Sequence, residues 1–198
     1  MKRKGRNLDT LTIWTVGHST RELSEFMAML NANGIQAVAD VRRYPCSRRY
    51  PHFNHDVLAE KLRPLKIDYF SFPRLGGRRR PRPDSPNTAW RSAAFRGYAD
   101  YMETDEFRKA LAELLRLARS KRTALLYAEA VWWRCHRALI SDYLRAHDVQ
   151  VLHITGLGQV EPHPYTPAAQ VIEGRLSYSG ERPPPERMPH PERESRER

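Results

Sequence analysis

The sequence predicts an α/β fold, a three-layer sandwich in which helices cover both faces of a mostly parallel sheet of about five strands. Short apolar runs of strand type alternate with stretches of helical spacing between residues 11 and 154. Strands separated in this way pair in parallel through crossover connections. A chain of 198 residues, 40% hydrophobic and 10% aromatic, carries enough apolar surface for one sizeable core and is too short for two full domains.

Each element has its own reason. Residues 11–16 (LTIWTV) form an apolar run ending at Gly17, His18 and Ser19. A helix follows, capped by Ser19 or Thr20, with Leu23, Phe26, Met27 and Leu30 at helical spacing until Asn33 and Gly34 stop it. Residues 36–41 (QAVADV) read as a buried strand. After a basic loop comes a helix capped by Asn54 that carries Val57, Leu58 and Leu62. Residues 67–72 (IDYFSF) make the third strand. The Gly, Arg and Pro-rich connection from Arg74 to Asn87 is too long for an ordinary turn, which points to a functional or mobile loop. Helices fill 92–103 and 105–119, the second opened by Thr104. Residues 123–128 (TALLYA), 135–147 and 149–154 (VQVLHI) continue as strand, helix and strand. The alternation is Rossmann-like. The expected organisation is a flexible basic N-terminus over 1–10, a single domain over 11–172 with a short element at 169–172, and a disordered tail rich in Pro, Glu and Arg over 173–198.

Charge narrows the function classes. Residues 42–82 hold twelve Lys and Arg against three acidic residues, and 28 of the chain's 34 cationic residues are Arg. A field concentrated in this way favours an anionic partner, such as nucleic acid, a nucleotide or another phosphorylated compound, and guanidinium offers phosphate a planar pair of donors. No apolar run is long enough to span a membrane, and the N-terminus lacks a signal-peptide core, so a cytoplasmic protein with no membrane partner is expected. Two cysteines are too few for a disulfide framework or a thiolate zinc site. The oligomeric state is left open.

In an open parallel sheet, ligands bind beyond the carboxyl ends of the strands, and the chemically capable residues fall there. His18 and Ser19 follow the first strand, Asp40 and Arg42 end the second, Gly76 and Gly77 follow the third, Glu129 ends the fourth, and Cys135, His136 and Arg137 open the next helix. A carboxylate after a buried strand is costly unless paired or working. Glu129 and Asp40 could therefore form a two-carboxylate site, with Arg42, Arg48 and Arg137 holding an anion; a structural ion pair of Glu129 with an arginine is the plainer alternative. His18 and His136 are substrate-binding candidates. A helix start beside Arg134 and Arg137 would favour a Cys135 thiolate, although a small buried cysteine explains the same position. A Cys-x5-Arg phosphate cradle fails, because position 141 is Ser141. Arg49 and Arg78, Arg79 and Arg80 suit a phosphate-contacting stripe. Trp132 and Trp133 suit either base stacking or the core. No spacing such as His-Glu-x-x-His indicates a metal, and no glycine pattern indicates a cofactor.

The strings TVGHSTR (15–21), DVRRYPCSRRYPHFN (40–54), LGG (75–77), FRGYADYM (95–102) and AEAVWWRCHRALISDYL (128–144) resemble the domain-of-unknown-function family numbered 488, over about residues 12–170. The resemblance implies an α/β fold with a parallel sheet. It also implies motif positions at Gly17, His18 and Ser19, at Asp40 and Arg42, at Ser47, Arg48, Pro51 and Phe53, at Gly76 and Gly77, and at Glu129, Cys135, His136 and Arg137. Members often carry Cys-Ala-Glu at the end of the fourth strand, where this chain has Tyr127, Ala128 and Glu129. That departure speaks against a mechanism needing two thiols at the site.

The function expected from these residues is that of a hydrolase or transferase acting on a nucleotide, a nucleic-acid base or another phosphorylated substrate. Glu129, Asp40 and Cys135 are its catalytic candidates. A non-catalytic nucleic-acid-binding module and a thiol-dependent transfer protein using Cys135 are the alternatives.

Overall fold

The computed structural model describes residues 10–180. The strands are β1 (Thr12–Gly17), β2 (Ala37–Asp40), β3 (Asp68–Ser71), β4 (Thr123–Tyr127), β5 (Gln150–Gly156), β6 (Gln159–Pro162), β7 (Gln170–Ile172) and β8 (Arg175–Ser177). The helices are α1 (Leu23–Ala32), α2 (His55–Leu62), α3 (Ala93–Met102), α4 (Asp105–Ser120) and α5 (Arg137–Ala146). Six strands form one sheet in the order β3-β2-β4-β1-β5-β6, and all pair in parallel except β6, which runs antiparallel to β5. The α/β class and the mostly parallel sheet are as expected, with one strand more. β6 escaped the sequence reading because all four of its residues are exposed and it has no apolar pattern.

Alternation along the strands splits the core in two. Ile13, Leu125 and Tyr127 face α3, α4 and α5, while Trp14, Val16, Ala124 and Leu126 face Phe26, Met29 and Leu30 of α1 and Leu58 and Leu62 of α2. The connections from β1 through β2 to β3 run one way across the sheet, and those from β3 through β4 to β5 run back. Right-handed crossovers therefore put α1 and α2 on one face and α3, α4 and α5 on the other. β4 lies between β1 and β2, yet its chain leaves toward the opposite face from theirs. A crevice opens where those paths diverge.

Several boundaries differ from expectation for local reasons. α1 begins at Leu23, because Ser19 adopts φ 50 and belongs to the loop. The Asn54 side chain accepts from the Ser47 N–H at 2.6 Å instead of capping α2, and Val57 is exposed. Thr104 does cap α4, its hydroxyl accepting from the Phe107 N–H. The connection after Arg74 is pinned: buried Asp100 accepts from the Arg82 N–H at 2.7 Å, the Ser85 hydroxyl at 2.6 Å and the Asn87 amide at 2.8 Å.

The boundary expected at residue 172 falls inside the β7–β8 hairpin. Asp142 on α5 is fully buried and gathers the following segment: it accepts from Thr166 Oγ1 at 2.6 Å, from Tyr178 OH at 2.9 Å and from His163 Nε2 at 3.1 Å. His163 Nδ1 meets His153 Nε2 at 2.9 Å, and His153 Nδ1 meets Thr15 Oγ1 at 2.6 Å. With Asp142 as the acceptor at one end, each histidine donates from Nε2 and accepts at Nδ1, so the Thr15 hydroxyl donates. This chain of bonds fastens residues 163–178 to the sheet. The expectations for residues 1–9 and 181–198 lie outside the described residues. Among the described residues, no helix is long and apolar enough to cross a membrane.

Candidate functional site

The loops after β1, β2, β3 and β4 converge on a cavity of about 520 Å³ at the carboxyl edge of the sheet. His18 and Ser19 come from the β1 loop, Arg42, Arg43 and Tyr44 from the β2 loop, Gly77 and Arg78 from the β3 loop, and Glu129, Cys135 and His136 from the β4 loop. The close meeting of the β1 and β4 loops depends on Gly17. A Cβ there would stand 1.8 Å from the Glu129 carbonyl oxygen and 2.6 Å from Arg137 Nη2.

Glu129 is an exposed wall residue, and among the described residues its carboxylate makes no ion pair. The structural ion pair weighed from sequence is therefore not what places it. Asp40 stands differently. It does not line the cavity, and both its oxygens are taken: Arg42 Nε donates at 2.9 Å and 3.1 Å, Arg42 Nη2 at 2.5 Å and Tyr69 OH at 2.5 Å. Arg42 Nη2 also donates to the Phe53 carbonyl at 2.8 Å. Asp40 thus holds Arg42 at the wall rather than joining Glu129 in a carboxylate pair.

Arg137 is fully buried. Its Nη2 donates to the Glu129 carbonyl, its guanidinium carbon lies 4.9 Å from the Tyr127 ring centroid, and its Nε and Nη1 have no hydrogen-bond partner among the described residues. A buried cation without a carboxylate is costly, and its field spreads to its neighbours. Burial, with the Arg137 charge beside it, lowers His136 to about 3. Burial and the adjacent Arg42 lower His18 to about 4. Both rings are neutral at pH 7. His18 Nδ1 lies 2.9 Å from the Ser19 carbonyl, which fixes the proton on Nδ1 and leaves Nε2 an acceptor. Tyr127 and His136 are among the lining residues, while the Tyr127 hydroxyl and His136 Nε2 are themselves buried and have no partner among the described residues.

Cys135 lies two residues before α5 begins, not within it. Burial pushes its thiol up, against the opposing pull of Arg137, so the balance runs opposite to the thiolate expected from a helix start. Cys46 lies inside the DVRRYPCSRRYPHFN string but is not among the candidate site residues of the sequence. It is exposed on the cavity wall, with Sγ 3.8 Å from His55 Nδ1, and His55 Nε2 is 2.6 Å from Asp56. Iodoacetamide is therefore expected to alkylate Cys46 and spare Cys135 in the native protein, read by peptide mass spectrometry. Faster labelling of Cys135 would contradict its burial.

The basic candidates divide. Arg79 is committed to structure, its guanidinium 3.5 Å from the Tyr101 ring centroid and donating to the Gly76 and Arg74 carbonyls. Arg43, Arg48, Arg49, Arg78 and Arg80 form no ion pair among the described residues, although of these only Arg43 and Arg78 line the cavity. Trp132 is partly buried and stacks on His153, while Trp133 is 57% exposed, and neither lines the cavity. Among the described residues no group of three or more His, Cys, Asp or Glu side chains is placed to hold a metal ion.

Comparison with curated proteins and with solved structures gives no match. The family described as Domain of unknown function DUF488 matches residues 22–144, a narrower span than the resemblance suggested, beginning after the Gly17-His18-Ser19 loop and reaching into α5. That match covers more than half of the chain, and the protein belongs to this family.

Proposed function

We propose that this protein is an enzyme, a hydrolase or transferase, acting on a nucleotide, a nucleic-acid base or another phosphorylated substrate. The observation that supports this reading is a carboxylate without an ion pair, Glu129, on the wall of a cavity whose rim guanidiniums, Arg43 and Arg78, are also unpaired. Glu129 then moves a proton at the reacting centre, while Arg42, oriented by Asp40, and the field of buried Arg137 favour a negatively charged ligand. His18 Nε2 supplies an acceptor for orientation. Cys135 as covalent nucleophile, and the thiol-transfer alternative built on it, lose support from its burial.

The test is a turnover screen over nucleoside mono- and triphosphates, phosphomonoesters and short oligonucleotides. Glu129→Gln is expected to keep the wild-type melting temperature and ligand affinity while losing turnover by about 10²–10⁴-fold, the usual contribution of one acid or base. Full activity in that variant removes the central residue of the proposal.

A further inference from the structure

We propose that the cavity receives one base of a single-stranded polynucleotide, whose neighbouring phosphates lie along the unpaired arginines of the loops after β2 and β3. The inference rests on the enzymatic reading above and names its substrate class. Three observations carry it.

The inner wall suits a flat heteroaromatic ring better than a bare anion. Tyr50, Phe95 and Tyr98 supply aromatic surface, and neutral His18 offers an acceptor at Nε2 beside the charged Arg42 and Glu129. At about 520 Å³ the cavity is within the usual size for small-molecule sites, roughly 300–1,000 Å³. The buried cation of the lining, Arg42, is already held by Asp40 and the Phe53 carbonyl, and fully buried Arg137 is not among the lining residues.

Further cations stand on the loops after β2 and β3, of which Arg43 and Arg78 reach the cavity. Arg43, Arg48, Arg49, Arg78 and Arg80 are all exposed and form no ion pair among the described residues. Arg21, Arg42, Arg74, Arg82 and Arg108 are each paired with a carboxylate, whereas Arg63, Arg91, Arg116 and Arg134, exposed on other elements, also form no ion pair among the described residues; what distinguishes the five is their grouping on two loops. Five unpaired guanidiniums on two loops exceed what the phosphate of one nucleotide can neutralise, and a strand presents several phosphates in a row.

Between them stands an aromatic platform. Tyr44 is 64% exposed, with the guanidinium carbons of Arg43 and Arg78 at 5.9 Å and 5.6 Å from its ring centroid. An exposed ring flanked by cations at a cavity mouth suits a base stacked next to the inserted one, while the guanidiniums reach its phosphates. A duplex keeps its bases stacked inward, so a single strand enters at lower cost.

The experiment is fluorescence anisotropy of the full chain with labelled mixed-sequence 12-mers, as single-stranded DNA, single-stranded RNA and the DNA duplex, from 50 to 200 mM salt. Single strands are expected to bind more tightly than the duplex, and the two sugars distinguish a DNA from an RNA substrate. With four or five phosphates neutralised, the slope of log K against log salt is expected near −3, at about 0.7 per phosphate. Arg48→Gln and Arg80→Gln, at exposed positions, should each reduce that slope by about 0.7, and Arg116→Gln on α4 should leave it unchanged. Tyr44→Ala should weaken binding on the order of tenfold. A 12-mer of abasic sites should bind at least tenfold more weakly with the same slope. Duplex affinity equal to or above that of the single strand, or abasic affinity equal to that of the normal strand, overturns the proposal. Mononucleotides that bind and turn over while oligonucleotides do not bind would also overturn it, yet leave the enzymatic reading standing. If inorganic phosphate, mononucleotides and oligonucleotides all fail to bind, both fall.

Discussion

Gly17→Ala is expected to destabilise the protein by at least about 3 kcal/mol and to lower its melting temperature by roughly 6–12 °C or more. The added methyl group would stand 1.8 Å from the Glu129 carbonyl oxygen, 2.6 Å from its carbonyl carbon and 2.6 Å from Arg137 Nη2. Two of these three atoms are backbone, so no side-chain rotation relieves the contact, and Gly17 pairs directly with Tyr127 across the β1–β4 ladder. Either the ladder opens at its carboxyl end or the β4 loop moves away, and both displace Glu129. Gly158→Ala provides the comparison. Gly158 has φ +69 with nothing within 4 Å of a Cβ, so its cost is backbone strain alone, about 1–2 kcal/mol. Thermal melts of the two variants separate these causes, and equal shifts would refute the close-packing account of Gly17.

Stability is also expected to fall steeply on acidification between about pH 6.5 and pH 4. Burial lowers His18 from 6.5 to about 4, and lowers His136 and His153 to about 3. Over that interval the unfolded chain takes up protons that the folded protein refuses, so acid favours unfolding. The stability these neutral rings contribute is complete above 6.5 and is lost as pH falls toward 3 or 4. Each ring adds on the order of 1.4 kcal/mol per pH unit. Urea denaturation at pH 7.5, 6, 5 and 4.5 should show a falling midpoint. His136→Phe keeps the aromatic contacts with Tyr98 and Tyr127 and removes a buried Nε2 without a partner. It should flatten the dependence by one ring's share, and an unchanged slope would assign the effect to other groups.

What the sequence makes legible follows from what local chemistry can encode. Apolar runs such as LTIWTV and TALLYA mark buried strands because both their faces meet helices, and strand ends collect polar residues because the crevice lies there. The four converging loops were therefore readable. Pair choices were not. Asp40 and Glu129 are both carboxylates near the ends of buried strands, and only the folded chain shows that Arg42, two residues on, turns back to hold the first while the second stays unpaired. Cys135 reads as a helix-start thiol until α5 begins at Arg137 and burial outweighs the neighbouring cation. Tyr127, a departure from Cys in the sequence, is among the residues that line the cavity, and its buried hydroxyl has no partner among the described residues.

The position of β4 also constrains how the chain acquires its structure. As the fourth strand in sequence it inserts between the first two, pairing Trp14 with Ala124 and Ala37 with Thr123. During synthesis β1, β2 and β3 emerge before the strand that joins β1 to β2 exists, so the nascent chain must hold that gap open without a wrong pairing. Contacts this distant along the chain form slowly, because the intervening loop must be closed before any of them contributes stability. The cavity is thus among the last features to mature. Ligand binding can serve as a reporter of completed folding, and a partly synthesised chain ending before residue 123 exposes the edges of β1 and β2 to aggregation.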